Sequence, residues 1–405
     1  MDSRARACEY PNMAKSVRSR SSASSRGKVS KKSGGSQKKV RYAVVGLGHI
    51  SQVAVLPAFR RAANSELVAL VSGDPKKQKK IGQKYGIDRI YSYEEYEGCL
   101  SEASVDAVYI TLPNHLHREY AIRAANAGVH VLCEKPMAVT EEDCEAMIDA
   151  AESKGVKLMI AYRLHFEKAN LEAIRLIQKG TLGEPRFFNS SFGQQVDPDN
   201  IRVTEPTEKG GGPLYDMGTY CINAARYLFR DEPVAISAFR SSNDEKRFSK
   251  TEEMVSVLLR FPNDRLASFT CSFGSASVSE YTLAGTKGTL VADPAYDYSV
   301  PLTHRLTINE KTTVRRFPKQ DQFAAELIYF SDCIQKDKEP EPSGYEGLAD
   351  VRVIRAIYQS ARMGEVVSLP AFDKKQRPSK QQEIARPAHG MPETVNVKSP
   401  SGEAA

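Results

Sequence analysis

The chain has 405 residues, of which 41% are hydrophobic and 26% are charged, with a net charge of +7. These values are typical of an ordinary soluble protein with room for two domains, and they argue against fibrous and membrane classes. A membrane-spanning helix needs about 18 consecutive apolar residues, and no run in this sequence approaches that length. The N-terminus also lacks the apolar stretch of a secretory signal. We therefore expect a cytoplasmic protein.

The two ends of the chain are strongly polar. Residues 1–40 carry eleven Lys or Arg against Asp2 and Glu9, a local charge of +9 that leaves −2 for the rest. Residues 1–38 are too polar to offset the entropy lost on ordering, so a disordered basic tail is predicted there. Residues 371–405 have a similar, Pro-containing composition and are predicted to be a second disordered tail.

Between the tails, residues 39–162 alternate short apolar runs with amphipathic segments, which is the pattern of βαβ units. The expected strands cover residues 41–45, 67–72, 106–111, 129–132 and 157–161. The expected helices cover residues 50–62, 75–85, 115–127 and 140–154. The first domain is therefore predicted to be α/β with a parallel sheet.

The pattern changes after residue 162. Helices are expected at 166–179 and, behind a Gly-rich loop, at 210–229; β-rich runs follow at 234–240, 252–261, 265–274, 278–284 and 288–292. Asn263-Asp264 fits a hairpin turn, and amphipathic helices near 320–336 and 345–362 close the fold. Residues 163–370 are thus predicted to form an α+β domain on a large, mostly antiparallel open sheet.

The first strand runs into a glycine loop, Gly46-Leu-Gly48-His49-Ile50-Ser51. Glycines permit a tight turn and close approach of the backbone to a pyrophosphate, whose charge meets the N-terminus of the next helix. A glycine turn alone is weak evidence, because unrelated α/β proteins also contain such turns. Its place at the first strand of a βαβ series favours a dinucleotide-binding domain of the Rossmann type.

The second strand ends in Ser72-Gly73, where an NAD site would offer a carboxylate to the adenosine ribose. Four lysines follow, among them Lys77. A small hydroxyl residue with cations behind it accommodates a 2′-phosphate, which a carboxylate would repel, so NADP is predicted rather than NAD. Asp74 speaks against this interpretation, and the lysines would also suit the solvated face of a helix.

Two further motifs carry chemistry. Residues 133–136 read Cys-Glu-Lys-Pro, which places Lys135 just after an apolar strand. Residues 210–220 place Asp216 and Tyr220 four positions apart, hence on one face of a helix. Taken singly, the carboxylate could be a helix cap and the phenol a core residue. Together with the glycine loop, these residues predict a dehydrogenase site.

These motifs resemble those of the Gfo/Idh/MocA family, and within it the glucose-fructose oxidoreductase branch, over roughly residues 40–370. The resemblance runs through Val-Gly46-Leu-Gly48, Leu-Val-Ser72-Gly73, Leu112-Pro113-Asn114-His115-Leu-His117, Cys133-Glu134-Lys135-Pro136, Ala161-Tyr-Arg163-Leu-His165 and the segment from Gly210 to Tyr220. Many family members have His at the position of Tyr220. The chain departs from that branch in having no Trp, with Ile201 before Arg202.

The resemblance implies roles for the residues of the catalytic motifs. Lys135 would lie between nicotinamide and sugar, Asp216 would orient the substrate, and Tyr220 would exchange the proton. A cation near a phenol favours its ionised form, so Lys135 would help Tyr220 to act as a base. The resemblance also makes the Lys135-Pro136 peptide bond a candidate for the cis form.

The loop, the strand ends and the resemblance together give one set of predicted cofactor-binding residues. They are Gly46, Gly48, His49, Ile50, Ser72, Gly73, Lys77, Tyr93, Leu112, Pro113, Asn114, His117, Glu134, Lys135 and Arg163. Structural roles are the alternatives for four of them: Asn114 would also suit a helix N-cap and His117 the first turn of a helix. Tyr93 and Arg163 would also suit the surface. No metal site is expected: His115 and His117 have no further ligands nearby, and the seven cysteines form no Cys-X-X-Cys pair and predict free thiols.

The predicted function is an NADP-dependent oxidoreductase that oxidises an aldose to a lactone, with or without coupled ketose reduction. A dicarbonyl-sugar reductase or a secondary-hydroxyl sugar dehydrogenase is the enzymatic alternative. An NADP-sensing protein with a polyanion-binding tail is the non-enzymatic one, but a sensor needs no proton relay. The resemblance implies a homodimer or homotetramer formed through the exposed face of the second sheet, and we expect neither membrane nor nucleic-acid binding.

Overall fold

The computed structural model describes residues 38–374 and 376–401. The basic tail predicted at residues 1–38 therefore lies outside the described residues, except for Lys38. The six described cysteines are buried and unpaired, and no helix in these two ranges is long and apolar enough to cross a bilayer.

The N-terminal part of the chain forms a six-stranded sheet in which every pairing is parallel. Its strands are β1 (Val40–Val45), β2 (Ser65–Val71), β3 (Ile90–Tyr91), β4 (Ala107–Ile110), β5 (His130–Glu134) and β6 (Leu158–Ala161). The spatial order β3-β2-β1-β4-β5-β6 reverses direction between β1 and β4. Ligands bind at such a switch point, outside the carboxyl ends of the strands.

Helices connect these strands and cover the sheet, which explains why the strands are continuous apolar runs. The connecting helices are α1 (Leu56–Ala58), entered through a π-helical segment (Ser51–Val55), α2 (Pro75–Tyr85), α3 (Tyr96–Glu102), α4 (His117–Asn126) and α5 (Glu141–Lys154). As predicted, α5 begins after Thr140, whose side chain accepts a hydrogen bond from the backbone of Asp143.

The second half of the chain forms a nine-stranded sheet that is antiparallel except where β7 pairs with β10. Its strands are β7 (Pro185–Gln195), β8 (Ala235–Ser241), β9 (Met254–Phe261), β10 (Arg265–Ser272), β11 (Gly274–Gly285), β12 (Gly288–Ala292), β13 (Leu302–Ile308), β14 (Lys311–Phe317) and β15 (Val367–Ser368). Along β9, exposed and buried residues alternate without exception. One face of the sheet therefore packs on a core and the other is open.

Five helices accompany the second sheet: α6 (Lys168–Gln178), α7 (Ile201–Thr204), α8 (Thr219–Phe229), α9 (Gln322–Gln335) and α10 (Gly344–Met363). Of these, α9 packs on the first sheet, because Phe323 and Phe330 share a core with Tyr42 and Val44 of β1. The stretch predicted as a second domain, residues 163–370, thus contributes a helix to the first.

The predicted fold class is confirmed, and every predicted strand is present with its ends shifted by a few residues. Two predicted helices differ more: the one at 50–62 is a π-helical segment and a short α-helix that ends at Ala58, and the one at 210–229 is helical only from Leu214. Asn263 and Asp264 both have positive φ angles, 61° and 53°, as the hairpin between β9 and β10 requires. The sequence did not reveal β3, α3, β7, α7, β13, β14 or β15. The central strand β7 was missed because its residues, PRFFNSSFGQQ, are mostly polar and include a glycine.

The prediction of a second disordered tail at residues 371–405 is corrected by the structure. Residues 376–401, here called the C-terminal strap, follow a defined path along the folded unit. Gln382 is buried and donates to the backbone of Glu341, and the backbone of Arg386 accepts from that of Asp321. Polar composition misled the prediction because these polar groups are paired with fixed partners.

Candidate active site

The glycine loop after β1 forms an open cradle. Gly46 has φ 95°, and a Cβ there would lie 2.9 Å from the carbonyl oxygen of Thr111, so only glycine suits this turn. Beside Gly48, by contrast, a Cβ would meet no heavy atom within 4 Å. The Nε2 of His49 and the hydroxyl of Ser51 are buried and have no hydrogen-bond partner among the described residues. Open space and unpartnered polar atoms fit the pyrophosphate of a dinucleotide.

The end of β2 presents a hydroxyl group rather than a free carboxylate. Ser72 is buried, and its hydroxyl accepts a hydrogen bond from the backbone of Asp74 at 3.2 Å. Asp74 caps α2 by accepting from the backbone of Lys76 and Lys77, at 2.9 and 3.3 Å. The carboxylate that seemed to oppose NADP is therefore committed to the helix, while the Lys77 ammonium lies 4.0 Å from it.

Tyr93 lies against the same strand end. A Cβ on Gly73 would be 3.2 Å from two carbons of the Tyr93 ring, so the glycine lets the ring approach the backbone closely. Burial raises the pKa of Tyr93 to about 12. This ring forms a neutral, apolar wall next to Ser72.

Asn114, just after β4, connects the two halves of the chain. Its amide donates to the carbonyl oxygen of Gly210 at 2.7 Å. Gly210 has φ 80°, and a Cβ there would lie 2.7 Å from the Cβ of Asn114. The residues before Asn114, Leu112 and Pro113, lie in the loop that faces the glycine turn, since Leu112 comes within 3.0 Å of a Cβ built on Gly46.

His117 differs from its predicted role as a cofactor contact. The side chain has no exposed surface. Its Nδ1 lies 3.0 Å from the carbonyl oxygen of Pro136 and its Nε2 lies 2.8 Å from that of Leu112, while burial lowers its pKa. The neutral ring has one N–H and can donate to one of these carbonyl oxygens, and His117 thereby fixes the loop after β4 against the Glu-Lys-Pro motif.

Lys135 is the centre of the site. Its Nζ donates to the carbonyl oxygen of Asp216 at 2.8 Å and lies 3.4 Å from one carboxylate oxygen of that residue. The other carboxylate oxygen lies 2.9 Å from Nε of Arg202. Burial raises the pKa of Asp216, but Arg202 and Lys135 together outweigh it, so the pKa is lowered and the carboxylate is ionised. The Lys135-Pro136 peptide bond is cis.

Tyr220 completes this group. Nζ of Lys135 lies 4.4 Å from the centre of its ring, and Cζ of Arg163 lies 4.9 Å from the same centre. The helix that carries Asp216 and Tyr220 begins with a π-helical turn, Leu214–Gly218, rather than the predicted regular α-helix. Both residues nevertheless meet Lys135. Lys135 and Arg163 thus place two positive charges against the ring of Tyr220.

Arg163 follows β6 and is buried rather than a surface residue. Its guanidinium donates to the side chain of Gln322 on α9 and, at 2.5 Å, to the carbonyl oxygen of Tyr296. These two bonds hold the guanidinium against Tyr220. Arg163 thus lies beside the predicted proton-exchanging residue.

Behind Lys135, two carboxyl groups share one phenol. The hydroxyl of Tyr109 lies 3.0 Å from Glu134 and 3.3 Å from Glu326. A phenol has one proton and can donate to only one of them, so the other carboxyl must be protonated. Burial raises the pKa of Glu134, but burial and the charge of Glu134 raise that of Glu326 well above its usual range, so Glu326 is the carboxyl that holds the proton.

The structure therefore gathers Lys135, Asp216 and Tyr220, with Arg163 beside them. The sequence analysis named Arg202 only as a matching position, not as a site residue, and it missed Tyr109 and Glu326. No local pattern signals these residues, because each reaches the site from a distant part of the chain.

Two family models match the chain. One, described as an oxidoreductase family with an NAD-binding Rossmann fold, matches residues 40–162, and the other, the GFO/IDH/MocA C-terminal domain, matches residues 170–291. The D-xylose 1-dehydrogenase [NADP(+)] of Haloarcula marismortui is 32% identical over 341 residues, which cover 82% of this chain and 93% of that protein.

Solved structures are similar as well. The aldose-aldose oxidoreductase from Caulobacter crescentus, complexed with glycerol, is 41% identical with a TM-score of 0.78, over 82% of this chain and 100% of that one. KijD10, a 3-ketoreductase from Actinomadura kijaniata in complex with NADP and TDP-benzene, is 24% identical with a TM-score of 0.73. The match covers 80% of this chain and 98% of that one. The latter similarity concerns the fold alone.

Proposed function

The chain belongs to the Gfo/Idh/MocA family of oxidoreductases, and from that premise we propose that it is an NADP-dependent sugar oxidoreductase. The proposed reaction is oxidation of an aldose at its anomeric carbon to a lactone. One observation carries the proposal: the Lys135 ammonium lies 2.8 Å from the Asp216 carbonyl oxygen and 4.4 Å from the ring centre of Tyr220. A binding protein has no need of such a proton-exchanging group.

The cofactor proposal rests on the shape and charge of the groove. The open space at Gly48 and the unpartnered Nε2 of His49 suit a pyrophosphate. At the end of β2, the hydroxyl of Ser72 and the ammonium of Lys77 suit a 2′-phosphate, since the Asp74 carboxylate is occupied as a helix cap. Two relatives are named as NADP(+)-dependent xylose dehydrogenases. When bound, NADP would accept or supply the hydride.

The chain's own residues would move the proton and hold the sugar. As the hydride leaves, the substrate hydroxyl must lose its proton, and Tyr220 would accept it while Lys135 and Arg163 stabilise the phenolate. Asp216, kept ionised by Lys135 and Arg202, would accept hydrogen bonds from sugar hydroxyls. In the reverse direction, the same phenol would donate the proton.

A second sugar as hydride acceptor is the fuller version of this proposal. The solved structure at 41% identity is titled an aldose-aldose oxidoreductase, which supports a coupled reduction in this chain. A reductase of keto sugars is the second candidate, favoured by relatives named dTDP-3,4-didehydro-2,6-dideoxy-alpha-D-glucose 3-reductase. The two candidates share the roles of Lys135 and Tyr220.

The test is to mix the purified full-length chain with NADP and a panel of aldoses and keto sugars. We expect the near-ultraviolet absorbance of reduced nicotinamide to rise with at least one aldose. A fall in absorbance only when NADPH meets keto sugars would favour the second candidate. No change with any sugar, in a protein that binds NADPH, would contradict both.

A homo-oligomer is part of the proposal. The open face of the second sheet exposes apolar residues that a monomer would leave in water, namely Phe187, Phe239, Leu258 and Leu266. Light scattering should therefore give a multiple of the 44.8 kDa chain mass, whereas a monomer mass at micromolar concentration would contradict it. The buried free thiols support a cytoplasmic location.

A further inference from the structure

The end of the C-terminal strap, residues 391–401, is attached to the two turns that would hold the adenosine half of the cofactor. The backbone N–H of Val395 donates to Gln52 at 2.7 Å, and the Gln52 amide donates back to the Val395 carbonyl at 3.0 Å. The amide of Asn396 donates to the free oxygen of the Asp74 carboxylate at 2.5 Å. Gln52 belongs to the turn after β1, and Asp74 to the turn after β2.

The strap end then reaches the second half of the molecule. The carbonyl oxygen of Pro400 accepts from the backbone of Asp197 at 2.9 Å, and the Lys398 ammonium lies 3.7 Å from Asp199. These two acidic residues precede α7, which carries Arg202 to the active site. The strap end therefore joins the two walls of the groove in which the dinucleotide would lie.

The strap end lies over this groove without filling its floor. In the described part of the chain, its hydrogen bonds to the groove go to the buried amide of Gln52, to Asp74 and to the backbone of Asp197. The space beside Gly48 stays open, and Nε2 of His49 stays unpartnered. This arrangement is that of a cover, because a plug would occupy those positions.

Asn396 has a particular effect on Asp74. It adopts φ 51°, a left-handed conformation that Asn tolerates, and this turn aims its amide at the carboxylate. One oxygen of Asp74 already accepts two backbone hydrogen bonds from α2. With the second oxygen held by Asn396, the carboxylate is not free to bind the ribose hydroxyls that an NAD site would hold.

We propose that residues 391–401 form the outer wall of the cofactor groove, that they slow the release of NADP, and that Asn396 favours NADP over NAD by holding Asp74. This inference rests on the proposed function, since it presumes that NADP binds here. A retained cofactor suits an enzyme that oxidises one sugar and reduces another without exchanging its nicotinamide in between.

The first test compares the full chain with a chain that ends at Gly390. None of residues 391–401 is fully buried, and among them Val395 packs on the core of the first sheet and bonds to Gln52, so circular dichroism of the shortened chain first checks that it still folds. Bound NADPH is followed by its fluorescence and chased with excess NADP. We expect release to become at least about tenfold faster in the shortened chain, because several hydrogen bonds across the groove are lost. An unchanged release rate, or tighter binding after truncation, would overturn the proposal.

The second test uses single substitutions. Asn396→Gly keeps the left-handed backbone but removes the amide, and it should lower the ratio of NADPH to NADH affinity by about threefold to tenfold. Asn309→Gly is the matched control, because Asn309 also has a left-handed φ, 47°, and lies in the exposed turn between β13 and β14. An unchanged ratio of NADPH to NADH affinity in Asn396→Gly would show that the hydrogen bond from Asn396 to Asp74 does not influence cofactor choice. If the intact chain binds no NADPH at all, the proposed function fails instead, and the two failures are thereby distinguished.

Discussion

The two ends of the cofactor groove are built in different ways. At the substrate end, the charged groups find their partners far away in sequence, since Lys135 meets Asp216 and Asp216 meets Arg202. At the adenosine end, the partners of Asp74 are mostly its immediate neighbours, Lys76 and Lys77, with Asn396 as the distant exception. The geometry of the substrate end therefore depends on how the two domains pack together. The geometry of the adenosine end depends mainly on the first turn of α2.

This difference predicts how each end responds to change. A substitution at the substrate end should disturb several groups at once, because each charge there is held by the others in a partly buried setting. A substitution at the adenosine end should alter cofactor affinity and leave turnover with saturating cofactor unaffected.

The largest effect is expected at Tyr220. Tyr220→Phe keeps the packing of the ring but removes the proton relay, so turnover should fall by about 10²- to 10⁴-fold, the usual contribution of general acid–base catalysis. The affinity for NADPH should hardly change. Steady-state kinetics and NADPH fluorescence measure the two quantities.

The matched control is Tyr345→Phe, since Tyr345 is 48% exposed and its hydroxyl donates to Glu152 on the surface. It should leave turnover unchanged. Near-normal turnover of Tyr220→Phe with an active sugar would show that the phenol is structural, and Lys135 or a water would then be the better proton acceptor.

At the adenosine end, Ser72→Asp should reverse or erase the preference for NADP. A carboxylate at that position repels the 2′-phosphate and can accept from the ribose hydroxyls, so the NADP to NAD affinity ratio should drop by about 10- to 100-fold. Turnover with saturating cofactor should change little. Ser101→Asp, on the exposed face of α3, provides the control, and an unchanged ratio in Ser72→Asp would mean that the 2′-phosphate lies elsewhere.

Arg202→Met should act through the pKa of Asp216. Arg202 and Lys135 together lower that pKa against the effect of burial, so removing one cation raises it, and the carboxylate becomes protonated at a higher pH than before. The acidic limb of the kcat/KM profile should therefore move to higher pH by about one unit. A pH profile identical to that of the unaltered chain would contradict a role for ionised Asp216 in holding the sugar.

The smallest effect is expected at Glu326. Because that carboxyl is the neutral member of the pair sharing Tyr109, Glu326→Gln replaces one neutral hydrogen-bond donor with another. The free energy of unfolding should change by less than about 1 kcal/mol. Urea denaturation measures it, with Glu326→Ala as the comparison that leaves a cavity and an unpaired phenol. A loss of several kcal/mol in Glu326→Gln would mean that Glu326 is buried as an anion.

The sequence predicted the parts of the fold whose signals are local. Apolar runs and helix starts predicted five strands of the first sheet, because strands buried on both faces are continuous apolar runs. They failed at β7 and at the hairpin of β13 and β14, where one face is open and the residues are polar. Such strands are held by their neighbours in the sheet, a cause that no short window of sequence contains.

The site divides in the same way. Lys135, Asp216 and Tyr220 lie in recognisable motifs, and the folded chain brings them together. Arg202, by contrast, reaches Asp216 from the short helix α7. The role of His117 was misjudged because its two carbonyl partners become visible only in the folded chain. The C-terminal strap was predicted to be a disordered tail, since composition does not reveal that Gln382 and Asn396 bond to residues far away in sequence.

The central claim is that Lys135 and Tyr220 work as one unit, and a double-mutant cycle tests it most directly. Turnover is measured for Lys135→Met, Tyr220→Phe and the double variant with the same aldose and saturating NADP. If Lys135 acts partly by stabilising the phenolate of Tyr220, the double variant should lose much less than the product of the two single losses. Losses that multiply fully would mean that the two residues act independently, and they would contradict the proposed mechanism.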